Sequence, residues 1–190
     1  MIKSALQSSL TNDIKYTSMS VGNLPSNEYL IQSYVLDSVT ATVTFDITGL
    51  GSQFRHLQLV IAAKTNRADR ADLLYIKLNN SDATKAHILQ GTGTSVQSLS
   101  EDLRVGYIAG ATTTSVFGAA VVDILDAFSS TKNKTVRVLS GYNNGTGGGE
   151  SIVALGSNFL NSTSTLTSVV VAAIGSFAIG SRFSLYGVTA

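Results

Sequence analysis

The chain has 190 residues, 44% of them hydrophobic and 13% charged, with a formal net charge of +1 and no cysteine. That length and apolar share suit one domain with a real core, while near-neutrality offers no electrostatic footprint for nucleic acid, an anionic membrane or an acidic substrate. Without cysteine there are no disulfides, no thiol catalysis and no Cys-based zinc sites, and a charged share about half the usual one leaves a surface poorly defended against association, as in an oligomer or a piece of an assembly.

Residues 1–28 differ from the rest. Ile2, Leu6, Leu10, Ile14, Tyr16 and Met19 are spread among polar residues without a clean strand period. Ala5, Leu6 and Leu10 share one face of a short helix, and Thr11-Asn12-Asp13 reads as a break or cap. Pro25, the chain's single proline, follows Gly22-Asn23-Leu24 and marks a boundary. The segment is either a frayed terminus or an arm that docks on a neighbouring subunit. Recurring apolar residues and low charge speak against a disordered tail. On the arm reading Ile2, Leu6, Leu10, Ile14, Tyr16 and Met19 are the partner-binding residues. The opening MIKSALQSSLTNDIKY has no continuous apolar h-region, so no secretory signal is expected.

From Tyr29 strand signals recur regularly. Tyr29–Leu36 comes first, then Thr40–Ile47, with Ala41, Val43, Phe45 and Ile47 alternating with polar residues. Gly49-Leu50-Gly51 turns the chain into Phe54–Asn79. There Leu57, Leu59 and Ile61, and then Leu74, Ile76 and Leu78, form apolar rows with His56, Gln58, Tyr75 and Lys77 facing away. The charged bend Asn66–Asp72 between them predicts an antiparallel hairpin. A short strand at Ala86–Leu89, a polar loop at Gly91–Ser100, and strands at Leu103–Ile108, Ser115–Leu125, Thr135–Leu139, Ser151–Phe159, Thr165–Ala173 and Arg182–Val188 follow. Val121–Phe128 also fits a helical turn or two. Gly145–Gly149 reads as an exposed hairpin tip. Ser168–Gly180 is too short to span a bilayer as a helix and reads as a buried strand with a turn at Gly175-Ser176. The pattern predicts an all-β fold: an antiparallel β-sandwich or jelly roll of roughly ten strands over residues 29–190, with an extended N-terminal arm over 1–28.

No constellation points to catalysis. His56 and His87 have no partner at metal-ligand spacing, and no Gly-x-Ser-x-Gly elbow occurs. Asp123 or Asp126 near Glu101 or Asp102 would be needed for glycoside hydrolysis, and the sequence gives no sign of it. Asn66, Asp69 and Asp72 offer oxygens for Ca²⁺, but Arg67 and Arg70 oppose a cation. Arg67, Asp69, Arg70 and Asp72 are better read as Arg–Asp pairs, within the loop or across a subunit boundary. Tyr75, Tyr107 and Tyr142 are candidates for outward-facing glycan contacts, with Tyr142-Asn143-Asn144 beside the glycine loop. The sequence predicts no catalytic residue, cofactor or metal site.

The closing Gly180-Ser181-Arg182-Phe183-Ser184-Leu185-Tyr186-Gly187-Val188 resembles the last strand of a group of tailed-bacteriophage virion proteins. Tyr29-Leu30-Ile31, Ala41–Phe45, Phe54–Leu59, the Arg-containing bend Asn66–Asp72 and Lys134–Tyr142 are similar to segments found in the same order in that group. The likeness covers about residues 29 to 189. It implies a structural role in the virion: a capsid decoration (cement) protein, or a module of a fibre or baseplate. Partners would be the major capsid protein or other virion subunits, met as a homotrimer, with assembly in the host cytoplasm and no nucleic acid or membrane contact. A host-glycan-binding module is the other alternative.

Overall fold

The computed structural model describes residues 14–15, 27–82, 85–92, 95–101, 104–112, 115–144 and 151–189. Fourteen strands run through them: β1 Ile14–Lys15, β2 Glu28–Val35, β3 Thr40–Asp46, β4 His56–Ala63, β5 Ala71–Leu78, β6 Ser81–Asp82, β7 Lys85–Gly91, β8 Val96–Glu101, β9 Arg104–Ala109, β10 Gly118–Leu125, β11 Lys134–Tyr142, β12 Ile152–Leu160, β13 Ser168–Phe177 and β14 Arg182–Val188. β1 and β6 are two residues each. The larger sheet has the order β1-β2-β14-β4-β10-β11-β12-β7-β8; the smaller runs β3-β13-β5-β6, with β9 also on β5. All strand pairings are antiparallel. The all-β sandwich is thus as the alternation predicts, with more strands than roughly ten.

The core lies between the sheets because each strand turns one alternate row inward. Leu57, Leu59 and Ile61 on β4, Val122 and Ile124 on β10, and Phe183 and Leu185 on β14 meet Phe45 on β3, Leu74, Ile76 and Leu78 on β5, and Val169 and Val171 on β13. Phe177 and Phe183 clasp the two layers edge to face, centroids 4.9 Å apart.

The expected hairpin over 54–79 does not form. β4 pairs with β10 and β14, whereas β5 pairs with β13, β9 and β6. Both apolar rows are inward, but they belong to opposite layers, and residues 64–70 carry the chain across the sandwich. The expected turn at Gly175-Ser176 is also absent: β13 continues to Phe177 through a register shift, and the turn comes at Ile179-Gly180, where Gly180 adopts φ 85°. Val121–Leu125 is strand, and only Asp126–Phe128 turns. The polar stretch 91–100 is not all loop, since Val96–Glu101 forms the edge strand β8.

Of the expected arm, Ile2, Leu6, Leu10, Tyr16 and Met19 lie outside the described residues. Ile14 is in β1, paired in register with Ser33.

Candidate functional site

Three features of the described surface gather chemistry. The first is a cleft of about 310 Å³ at one end of the sandwich, lined by Gly51, Phe54, Arg55, Asp126, Phe128, Ser129 and Lys132. The turn before β4 brings Phe54 and Arg55; the turn after β10 brings Asp126 and Phe128. Asp126 sits in the left-handed region at φ 50°, a conformation Asp tolerates, and its amide donates to His56 Nδ1 at 2.8 Å. Its carboxylate accepts from Arg55 Nε at 3.1 Å and Lys132 Nζ at 3.2 Å. The Arg55 hydrogen bond holds the Asp126 carboxyl below its usual range, against opposing desolvation, with Lys132 adding to the effect. A carboxylate held ionised between two cations is a poor general acid. Phe54 and Phe128 give the cleft aromatic lining, and Arg55, Asp126 and Lys132 give it charge.

Beneath this rim Lys134 is fully buried. Its ammonium donates to the carbonyls of Ser129 at 2.6 Å, Lys132 at 2.9 Å and Thr163 at 3.4 Å, tying two connections to the end of β11. Burial lowers its pKa, only partly offset by the Asp126 charge. Lys134 alternates inward with Val136 and Val138, so the two-residue period of the sequence already places it on the inner face.

The second feature is the 66–72 bend. Asp72 is fully buried and accepts from the amides of Gly175 at 2.8 Å and Leu73 at 2.7 Å, with Arg67 Nη1 at 3.4 Å. Arg67 also reaches Asp69 at 3.3 Å. Asn66 Oδ1 accepts from the Ser176 amide at 2.9 Å. The oxygens weighed for Ca²⁺ are therefore turned to amides and to Arg67. The Arg–Asp pairing lies within the loop, and buried Asp72 faces the protein's own β13 rather than an outer surface; Arg70 is exposed and its carbonyl accepts from the Gly110 amide at 2.8 Å.

The third feature was not anticipated. On the outer face of the larger sheet Val60, Val121, Leu139, Leu155 and Leu89 stand directly opposite one another across β4, β10, β11, β12 and β7. They are 38–56% exposed. A parallel row beside them, Ala62, Ala119, Gly141, Val153 and Gly91, is small or apolar throughout. On the other flank the row is polar: Gln58 donates to Asp123 at 3.0 Å, and Arg137 reaches Asp123 at 2.7 Å. The sequence signal was the loss of alternation: LVIAA in β4, AAVV in β10 and VAL in β12 are apolar on both faces.

The remaining candidates disperse. His56 packs on the Asp126 turn, and His87 is exposed in strand β7 rather than in a turn. Tyr107 and Tyr142 are buried, so they form no outward platform for a sugar. Asp102 lies outside the described residues. Among the described residues no group of three or more His, Asp or Glu side chains is placed to hold a metal ion, and no helix is long and apolar enough to cross a membrane. Compared with known proteins, the chain matches no protein family, no curated protein and no solved structure.

Proposed function

We propose that the chain is a non-enzymatic virion structural protein: a capsid decoration (cement) protein that binds the outer capsid shell and stabilises it, anchored partly by its N-terminal arm. The observation that carries this reading is the outer face of the larger sheet, where two adjacent rows of apolar and small residues run across five strands beside the Asp123–Arg137 pair. A contiguous exposed apolar patch rimmed by polar residues is a protein-contact surface. The likeness of the closing strand Arg182–Val188 to phage virion proteins supports a shell as the partner. A homotrimer would match a threefold position on such a shell. A protein that binds only the assembled state stabilises it by mass action.

The test is co-sedimentation with undecorated shells, comparing the full chain, a chain lacking residues 1–27, and the full chain carrying Leu139→Asp and Leu155→Asp. Saturable binding by the full chain, weakened about tenfold or more by either change, is the expected result; each tenfold corresponds to about 1.4 kcal/mol. Failure of the full chain to bind shells would reject the decoration role and favour a fibre or baseplate.

A further inference from the structure

We propose that the cleft at the end of the sandwich binds a small organic acid, a carboxylate carried on a single apolar ring. The first observation is unspent donors. Arg55 Nε and Lys132 Nζ each give one hydrogen bond to Asp126, to Oδ1 at 3.1 Å and to Oδ2 at 3.2 Å. The terminal nitrogens of Arg55 and the remaining Nζ protons of Lys132 have no partner among the described residues. Both side chains line the cleft, and they are 52% and 53% exposed. The two Nη groups of Arg55 form a planar fork that matches a carboxylate, and the Lys132 ammonium is a point charge on the same lining.

The second observation is charge. Arg55, Lys132 and the buried ammonium of Lys134 surround one carboxylate, that of Asp126. Three positive charges against one negative leave this end of the sandwich in positive excess, which favours an anion over a cation. Asp126 answers only part of that excess, and its two oxygens hold the two rim cations apart.

The third observation is the lining and its stiffness. Phe54 and Phe128 supply aromatic carbon, and the Gly51 backbone packs on Phe128, where an added Cβ would stand 3.1 Å from the Phe128 Cβ. A volume of about 310 Å³ has room for one ring and its acid group, at the small end of ligand sites. The wall is fixed from behind. The Ser129 amide donates to the Asp126 carbonyl at 3.0 Å, and the Ser129 hydroxyl accepts from the amides of Thr131 at 3.2 Å and Lys132 at 3.1 Å. Lys134 grips the carbonyls of Ser129 and Lys132. A ligand therefore meets donors on a backbone already in place, with no loop to order. The cleft shares no residue with the apolar rows of the larger sheet, so the inference stands whether or not those rows meet a shell.

The test is a titration of the full-length protein followed by ¹H–¹⁵N NMR, with phenylacetate as the probe. Acetate and inorganic phosphate are anions without the ring, and phenylacetamide keeps the ring without the charge. Phenylacetate should give saturable shifts at the Ser129 and Lys132 amides and at the Arg55 Nε–H, with binding at least about tenfold tighter than that of the other three. Arg55→Gln should weaken it about tenfold, as loss of a charge-assisted hydrogen bond does, and Lys132→Gln should weaken it by less. Arg182→Gln, which removes an exposed cation at the far end of β14 from Arg55, should leave it unchanged. Arg55 and Lys132 are exposed, so both variants should keep the fold, read from unchanged shifts of core amides. Equal binding of phenylacetamide would make the cleft merely apolar, and equal binding of acetate or phosphate would make it merely ionic. Either result, phenylacetate binding that survives Arg55→Gln, or the absence of any saturable shift would overturn the proposal.

Discussion

The ring of Phe54 lies over the backbone of Gly187, so close that a Cβ at position 187 would stand 2.4 Å from the ring. Tyr29, paired in register with Gly187, packs against the same ring, centroids 6.1 Å apart. This glycine of the closing strand is thus required by contact. Gly187→Ala should cost about 1–3 kcal/mol, as overpacking does in a rigid core. In a Phe54→Ala background the same substitution should be close to neutral. Denaturant unfolding of the four proteins in a double-mutant cycle measures the coupling, and additive effects would show that the ring is not the obstacle.

Asn79 clips the end of β5 to the start of β13. Its Oδ1 accepts from the amides of Thr167 at 2.7 Å and Ser168 at 3.2 Å, its Nδ2 donates to Thr165 O at 3.0 Å, and its φ is 53°. Asn79→Ala loses these bonds and forces a Cβ residue without local polar support into the left-handed region. A cost of about 2–4 kcal/mol is expected. Asn79→Gly loses the same bonds without the backbone strain, so its melting temperature should fall less.

Lys134 gives an alkaline signature. Its folded pKa lies below 10.5 because burial disfavours the charged form. Between that lowered value and 10.5 the unfolded chain holds the proton that the folded chain sheds, so this group's contribution to stability rises with pH across the window. Below it the full penalty of the buried charge applies. The difference in unfolding free energy between wild type and Lys134→Met should be flat near neutrality and shift in favour of wild type as pH approaches 10.5. At neutral pH, Lys134→Met should cost about 1–3 kcal/mol, because three carbonyls lose their donor.

Asp126 gives an acid signature of the opposite sign. Its folded pKa is depressed below 3.8, first by the Arg55 hydrogen bond. Its stabilising contribution is present above 3.8 and is lost as pH falls through the folded value. Arg55 and Lys132 are exposed, so the contribution should stay below about 1 kcal/mol and shrink with added salt. Asp126→Asn, which keeps a side chain suited to the left-handed backbone, should remove that part of the acid dependence in urea titrations from pH 6 to 2.

The alternation at Leu57, Leu59 and Ile61 and at Leu74, Ile76 and Leu78 made both inward rows legible. It could not tell their partners, because a period of two reports which side of a strand is covered and not which strand lies next to it. Two strands facing each other across a core have the same pattern as two strands in a hairpin. Inward rows also hold charges that are buried, Asp72 on β5 and Lys134 on β11. Asp72 continues the series back from Leu74, and Lys134 continues the inward row of β11 back from Val136, so the two-residue period places both inward although their side chains are charged. What hides there is long-range: Asp72 meets Gly175, and Lys134 meets Thr163. Gly175 looked like a turn for a related reason. It is small because a Cβ there would come within 2.8 Å of the Arg67 backbone nitrogen, a contact from a distant part of the chain.

The position of β14 has a consequence for how the chain acquires its shape. β14 follows every other strand described, yet it lies inside the larger sheet, with β2 on one side and β4 on the other. Until residues 182–188 have left the ribosome, β2 and β4 have an open slot between them and two unpaired edges. Until β14 is in place the apolar rows of the larger sheet stay unfinished, and closure depends on contacts between distant parts of the chain, which makes folding slow. Inserting β14 closes the larger sheet, and a chain that has not yet inserted it is the species most exposed to aggregation.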